Sequence, residues 1–171
     1  TDDNSAANTN DESTDVSKPV TPAESPADTT DGEDDKLTMT MPLTGEIINN
    51  YSPSKLVYNK TLKEWRIHPA IDIAGKKGDN VICAMTGTVS DIKNGPLYGN
   101  TIIVDNGKGT QTVYCGIAAM NNLTVGATVT QGDTLGTLGD GIFCESDSGA
   151  HLHFEVIQNN SKADPNLFFI K

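Results

Sequence analysis

The sequence predicts an all-β domain behind a disordered acidic tail, and three observations carry that expectation. From about Met39 onward, Ile, Val, Leu and Thr recur in short runs separated by Gly and Asn. No segment holds a helical period for more than a turn or two. Residues 1–38 are instead rich in Thr, Asp, Ser, Glu, Pro and Ala, with Val16, Val20 and Leu37 the only aliphatics larger than Ala.

Taken in order, the first 38 residues cannot bury enough apolar surface to offset their ordering entropy. They read as a self-repelling linker, which leaves 39–171 as the folded domain. Within it, residues 81–85, 87–92, 100–105, 111–115, 134–138 and 151–157 read as strands. Asp105-Asn106-Gly107-Lys108-Gly109 supplies residues that tolerate positive φ and joins two strands as a hairpin. Gly126 and Gly132-Asp133 punctuate residues 125–138 in the same way. Residues 117–122, with two alanines, are expected to form one short turn.

Charge narrows the function classes. The chain has 12 basic and 23 acidic residues, a net charge of −11. Residues 1–36 account for −9 of it and the rest for −2. No basic cluster is present to meet phosphates, which argues against a nucleic-acid partner. No apolar run approaches the roughly 18–20 residues that span a bilayer. A start at Thr1 without Met reads as a trimmed fragment, compatible with an anchor or signal in a longer parent. Cys83, Cys115 and Cys144 form an odd, widely spaced set without a CxxC pair, a poor disulfide framework. Cys83 and Cys115 read as small hydrophobes in apolar strands.

Two segments carry chemistry, and they hold all three histidines of the chain. In His151-Leu152-His153-Phe154-Glu155-Val156, strict alternation puts His151, His153 and Glu155 on one face and the apolar residues on the other. The two imidazoles are expected to project into a groove or solvent, about 7 Å apart at Cα, one as metal ligand and one beside it. In His68-Pro69-Ala70-Ile71-Asp72, a fully extended strand would hold His68 and Asp72 about 13 Å apart. A bend at Pro69-Ala70 is needed for them to converge. Neutral imidazole with carboxylate suits zinc. Two nitrogens, one oxygen and an open position is the pattern of catalytic zinc.

From His68 to Pro165 the chain resembles the LytM-type metallopeptidases of family M23. His68-Pro69-Ala70-Ile71-Asp72-Ile73-Ala74 matches the HxGIDIA segment, and Gly149-Ala150-His151-Leu152-His153-Phe154-Glu155 matches the closing HLHFE motif. Gly87-Thr88-Val89, Tyr98-Gly99-Asn100, Val125-Gly126, Leu135-Gly136 and Asp164-Pro165 fall between and after them in the family's order. The resemblance implies a LytM/M23-type β-sheet domain with a zinc-site groove. It implies one zinc ion held by His68, Asp72 and His153, with His151 as the acid–base group, and peptidoglycan peptides as substrate. One departure matters: the family's second non-ligand histidine, in a YxHL motif, falls on Gly116 within Tyr114-Cys115-Gly116-Ile117. Glycine can neither donate to a developing oxyanion nor move a proton. Tyr114, two residues earlier, is not expected to substitute.

The long approach Glu145-Ser146-Asp147-Ser148-Gly149-Ala150-His151 resembles the sporulation branch of the group, the stage II Q type. That implies an N-terminal anchor, a place between forespore and mother-cell membranes, and a mother-cell membrane partner of the stage III sporulation AH type. Other residues have plainer readings. Trp65 is expected to be packed. Asp140, Glu145 and Asp147 are expected to form a solvated acidic loop, and Glu155 a supporting or surface role. Three functions compete: a zinc-stabilised, catalytically degenerate binding module, an active zinc endopeptidase, and a metal-free adhesion module. An exposed sheet edge is the expected partner surface.

Overall fold

The computed structural model describes residues 37–170. The linker expected over 1–38 lies outside them but for its last two residues. Thirteen strands and two short 3₁₀ turns make up this part of the chain. The strands are β1 (Ile47–Asn49), β2 (Ser52–Asn59), β3 (Glu64–His68), β4 (Ile71–Ala74), β5 (Asn80–Ile82), β6 (Gly87–Gly95) and β7 (Gly99–Gly107). They continue as β8 (Thr110–Cys115), β9 (Ile117–Ala119), β10 (Thr128–Val129), β11 (Thr134–Leu138), β12 (His151–Gln158) and β13 (Ser161–Ala163). The 3₁₀ turns cover Phe143–Ser148 and Pro165–Leu167. The all-β expectation therefore holds, and among the described residues no helix is long and apolar enough to cross a membrane.

The main sheet has the order β1-β4-β12-β8-β7-β6-β10, with β13 paired to β12, and every pairing in it is antiparallel. Period-two alternation gives it two unlike faces. Ile71, Ile73, Ile102, Tyr114, Leu152, Phe154 and Val156 are buried in one core. Val81, Leu135, Ile117 and Leu138 of the small sheet β5-β11-β9 meet them there. Each fully buried side chain of this size contributes roughly 1.5–3 kcal/mol. The core is apolar and asks nothing of a metal. The residues between the apolar ones, Asp72 on β4 and His151, His153 and Glu155 on β12, stand on the other face.

Three local expectations need correction. The strand expected over 81–85 ends at Ile82, because the Cys83 backbone is engaged by Asp133 and Gly132 in a loop instead. The turn expected over 117–122 begins as strand β9. It pairs with β11 where Gly136 lies opposite Ala119, and the absent side chain lets the backbones approach: a Cβ at 136 would lie 2.1 Å from the Ala118 carbonyl oxygen. Trp65 is not packed. It is 65% exposed, with its ring tilted against Tyr58 at 5.4 Å. It lies on the β2–β3 hairpin, a separate two-stranded sheet.

Candidate metal centre

The site is assembled by strand register. Asp72 on β4 lies directly opposite His153 on β12, and His153 lies opposite Cys115 on β8. Residues opposed in an antiparallel pair share a face, so the carboxylate and the imidazole meet across 81 residues of sequence: His153 Nδ1 is 2.9 Å from Asp72 Oδ1. The expected bend supplies the third group. Strand β3 ends at His68, Pro69 and Ala70 break the ladder, and β4 starts at Ile71. His68 Nε2 thereby comes to 3.2 Å from Asp72 Oδ1.

A fourth group joins them. Glu145, in the Phe143–Ser148 turn, is 7% exposed, not solvated as expected. Its Oε2 lies 3.3 Å from His153 Nδ1 and 3.3 Å from His151 Nε2, and its Oε1 lies 3.9 Å from His68 Nε2. His68, Asp72, Glu145 and His153 each offer a ligand atom within 4.8 Å of the others. The apolar run Ile142-Phe143-Cys144, set in a loop bounded by glycines, was the available signal. Ile142 and Cys144 are fully buried and draw the next residue inward. Of the groove or solvent expected for the two β12 histidines, solvent is excluded. Neither projects into solvent: His151 is 0% and His153 1% exposed, because the turn lies over them.

Each imidazole is oriented by its other nitrogen. His68 Nδ1 donates to the Asn50 carbonyl at 3.0 Å, which directs Nε2 at the cluster. His151 Nδ1 donates to the Gly149 carbonyl at 2.8 Å. His153 turns Nδ1 to the cluster; its Nε2 lies 3.5 Å from Glu155 Oε1 without a hydrogen bond, and Glu155 is ion-paired with Lys162. Imidazoles backed by a carbonyl or carboxylate are the usual support of metal-ligating histidine. Asn49 holds the other Asp72 oxygen at 3.2 Å.

Electrostatics point the same way. Burial pushes the Asp72 carboxyl up, but hydrogen bonds and charge from His153 and His68 outweigh it and hold it well below the usual range. Glu145 is likewise raised by burial, yet His151 and His153 bring it down to about 2. Burial lowers His151 and His153, and their carboxylate neighbours more than reverse that, raising both. Two ionised carboxylates buried together need positive charge beside them, which protonated imidazoles or a bound cation can each supply.

These residues fit zinc. His68 Nε2 and His153 Nε2 are buried without a hydrogen-bond partner, and the first of these orphans faces the cluster. Tetrahedral zinc with ligands at its usual distances has ligand–ligand edges of about 3.3 Å. Four of the six separations, 2.9, 3.2, 3.3 and 3.9 Å with both Glu145 oxygens used, lie near that value, and with one atom per residue all lie within 4.8 Å. A cleft of about 400 Å³ between the β2–β3 hairpin and the turn reaches His68, Asp72 and Glu145. A second, more apolar hollow of about 410 Å³ lies beyond Tyr98, whose ring is 4.9 Å from that of His153.

The position of the missing histidine is now explained in part. Gly116 has φ +82°, and a Cβ there would sit 3.0 Å from Ile142 Cγ1 and 3.3 Å from the His151 carbonyl oxygen. Tyr114 faces the opposite way. It is fully buried, packs on Phe154, and its hydroxyl accepts from the Ala84 N–H at 2.8 Å.

Residues 66–165 match the model of Peptidase family M23. Stage II sporulation protein Q of Bacillus subtilis is 27% identical over 170 residues, covering 98% of this chain and 58% of that protein. The DD-carboxypeptidase/endopeptidase Mpg of Neisseria meningitidis is 26% identical over 114 residues, covering 67% of this chain and 25% of that one. The chain thus spans under two thirds of either relative. Among solved structures, a chain of the SpoIIQ–SpoIIIAH pore-forming complex aligns at TM-score 0.67 and 23% identity. The alignment covers 78% of this chain and 92% of that one, a match that shows the fold.

Proposed function

We propose, from the premise that the chain belongs to peptidase family M23, that residues 39–171 form a LytM-type domain whose zinc site is kept while peptidase turnover is lost. In this reading His68, Asp72 and His153 hold one zinc ion, and the domain serves as a protein-binding module in sporulation. The observation that carries it is the complete donor set beside a Gly116 whose side-chain space is taken by Ile142. Bound zinc would supply Lewis-acid polarisation of a carbonyl and acidification of a water. Of the two protein groups expected to work beside it, only His151 is present. An absent oxyanion donor alone typically costs about 10²–10³ in turnover, and Tyr114 is committed to the core.

The resemblance to stage II sporulation protein Q, with the fold shared with the SpoIIQ–SpoIIIAH complex, supports a mother-cell membrane protein of the stage III AH type as partner. It supports an extracytoplasmic place between forespore and mother-cell membranes, with an anchor in a longer parent. The exposed edges of the main sheet, β1 and β10, offer unpaired backbone to such a partner.

The second reading is an active endopeptidase of peptidoglycan cross-bridges or stem peptides. His151, the 400 Å³ cleft and the Neisseria relative favour it. Zinc-loaded protein incubated with purified cell wall separates the two. The binding-module reading expects about one zinc per chain and no new amine termini. Release of termini that disappears in His151→Ala would defeat it.

A further inference from the structure

We propose that Glu145 is the fourth metal ligand of this site, a side chain that takes the position a water needs, so that the centre is closed by the protein itself. The inference rests on the zinc reading above and goes beyond it by naming why the site is shut.

Three sets of observations converge on Glu145. Its carboxylate completes the donor group, with one oxygen toward His153 and the other toward His68. The same carboxylate separates His151 from the rest of the cluster: Oε2 lies 3.3 Å from His151 Nε2 and 3.3 Å from His153 Nδ1. A group that acts on a metal's water has to face that water, and here it faces Glu145. The turn that carries it is also built in place. Asn59 Nδ2 donates to the Cys144 carbonyl at 3.0 Å, and Asp147 N–H donates to Thr61 Oγ1 at 2.9 Å, which tie the turn to the β2–β3 hairpin. Cys144 N–H reaches the Leu97 carbonyl at 3.2 Å on the other side. Ile142 and Cys144 pack with Val113 and Cys115 in a buried satellite cluster.

The closure and the missing histidine are one feature. Ile142 enters the turn through the space that a side chain at 116 would fill. A side chain there would press on Ile142, three residues before Glu145 in the same segment. A site with four protein ligands is the pattern of structural zinc, whereas catalytic sites keep one position for solvent.

Cobalt substitution tests the proposal without reference to turnover. Cobalt(II)-loaded wild type should give a visible spectrum that azide leaves unchanged. Glu145→Ala should give a spectrum that azide shifts, and zinc affinity should fall at least about 10–100-fold, the range that loss of a supporting partner already costs. Glu145→Gln keeps the size of the side chain and should fall between the two, with far-ultraviolet circular dichroism unchanged. A wild-type spectrum that responds to azide as Glu145→Ala does would overturn the proposal while leaving the zinc reading intact. Wild type that takes up no metal would overturn both. The wild-type measurement needs no variant, so misfolding of a mutant cannot hide the answer.

Discussion

The two flanks of β12 are built differently. On the β4 side, His68, Asp72 and His153 meet with the Asn50 carbonyl behind one imidazole and Asn49 on the carboxylate. On the β8 side, the corner after Cys115 has no side chain at Gly116, and Ile142 packs against it while Glu145 lies buried three residues on. One flank carries the candidate metal ligands, and the other has glycine where the family's second histidine falls. On the proposed reading, their separation would make binding a metal and using it independent properties. The first depends on a strand register that also builds the core. The second depends on one corner that a single turn can refill.

The largest expected effect breaks the intact flank. Asp72→Ala removes the carboxylate that touches both ligand imidazoles and should cost more in zinc affinity than the about 10–100-fold of a supporting partner. Competition with a chelator of known affinity measures it. The β circular dichroism signal should persist, because the core lies on the opposite face; loss of the fold would show that the two flanks are not separable. A smaller effect is expected on the altered flank. Gly116→Ala places a Cβ in a left-handed conformation and against Ile142. It should lower stability by about 2 kcal/mol in a denaturant titration, combining backbone strain with local overpacking. An unchanged midpoint would mean that Ile142 is not wedged there. The smallest belongs to the hairpin beyond both flanks. Trp65→Ala should change stability by less than about 0.5 kcal/mol, since the ring is mostly exposed. A larger loss would show that the hairpin is clamped to the turn through more than Asn59 and Thr61.

The legible and illegible parts divide along the same physical line. The alternation of His151-Leu152-His153-Phe154-Glu155-Val156 put the right residues on one face, and Ile71-Asp72-Ile73 did the same for β4. The Pro69-Ala70 break gave the bend that brings His68 back. The β2–β3 hairpin was not foreseen, because its strands are largely polar and carry no core pattern. Glu145 was misassigned because an acidic residue in a Gly- and Ser-rich loop ordinarily faces water. Its burial follows from packing by Ile142 and Cys144 against β8, far away in sequence.

The sequence by itself determined the strand content, the two-faced character of β4 and β12, and the ligand types available. Those follow from local periodicity, which depends only on neighbours along the chain. Only the tertiary structure decided that Asp72 stands opposite His153, that the Asn50 carbonyl turns His68 Nε2 inward, and that Glu145 lies between His151 and the other ligands. Such placements depend on pairing register and on how loops fill the space between strands, and separation along the chain carries no record of either.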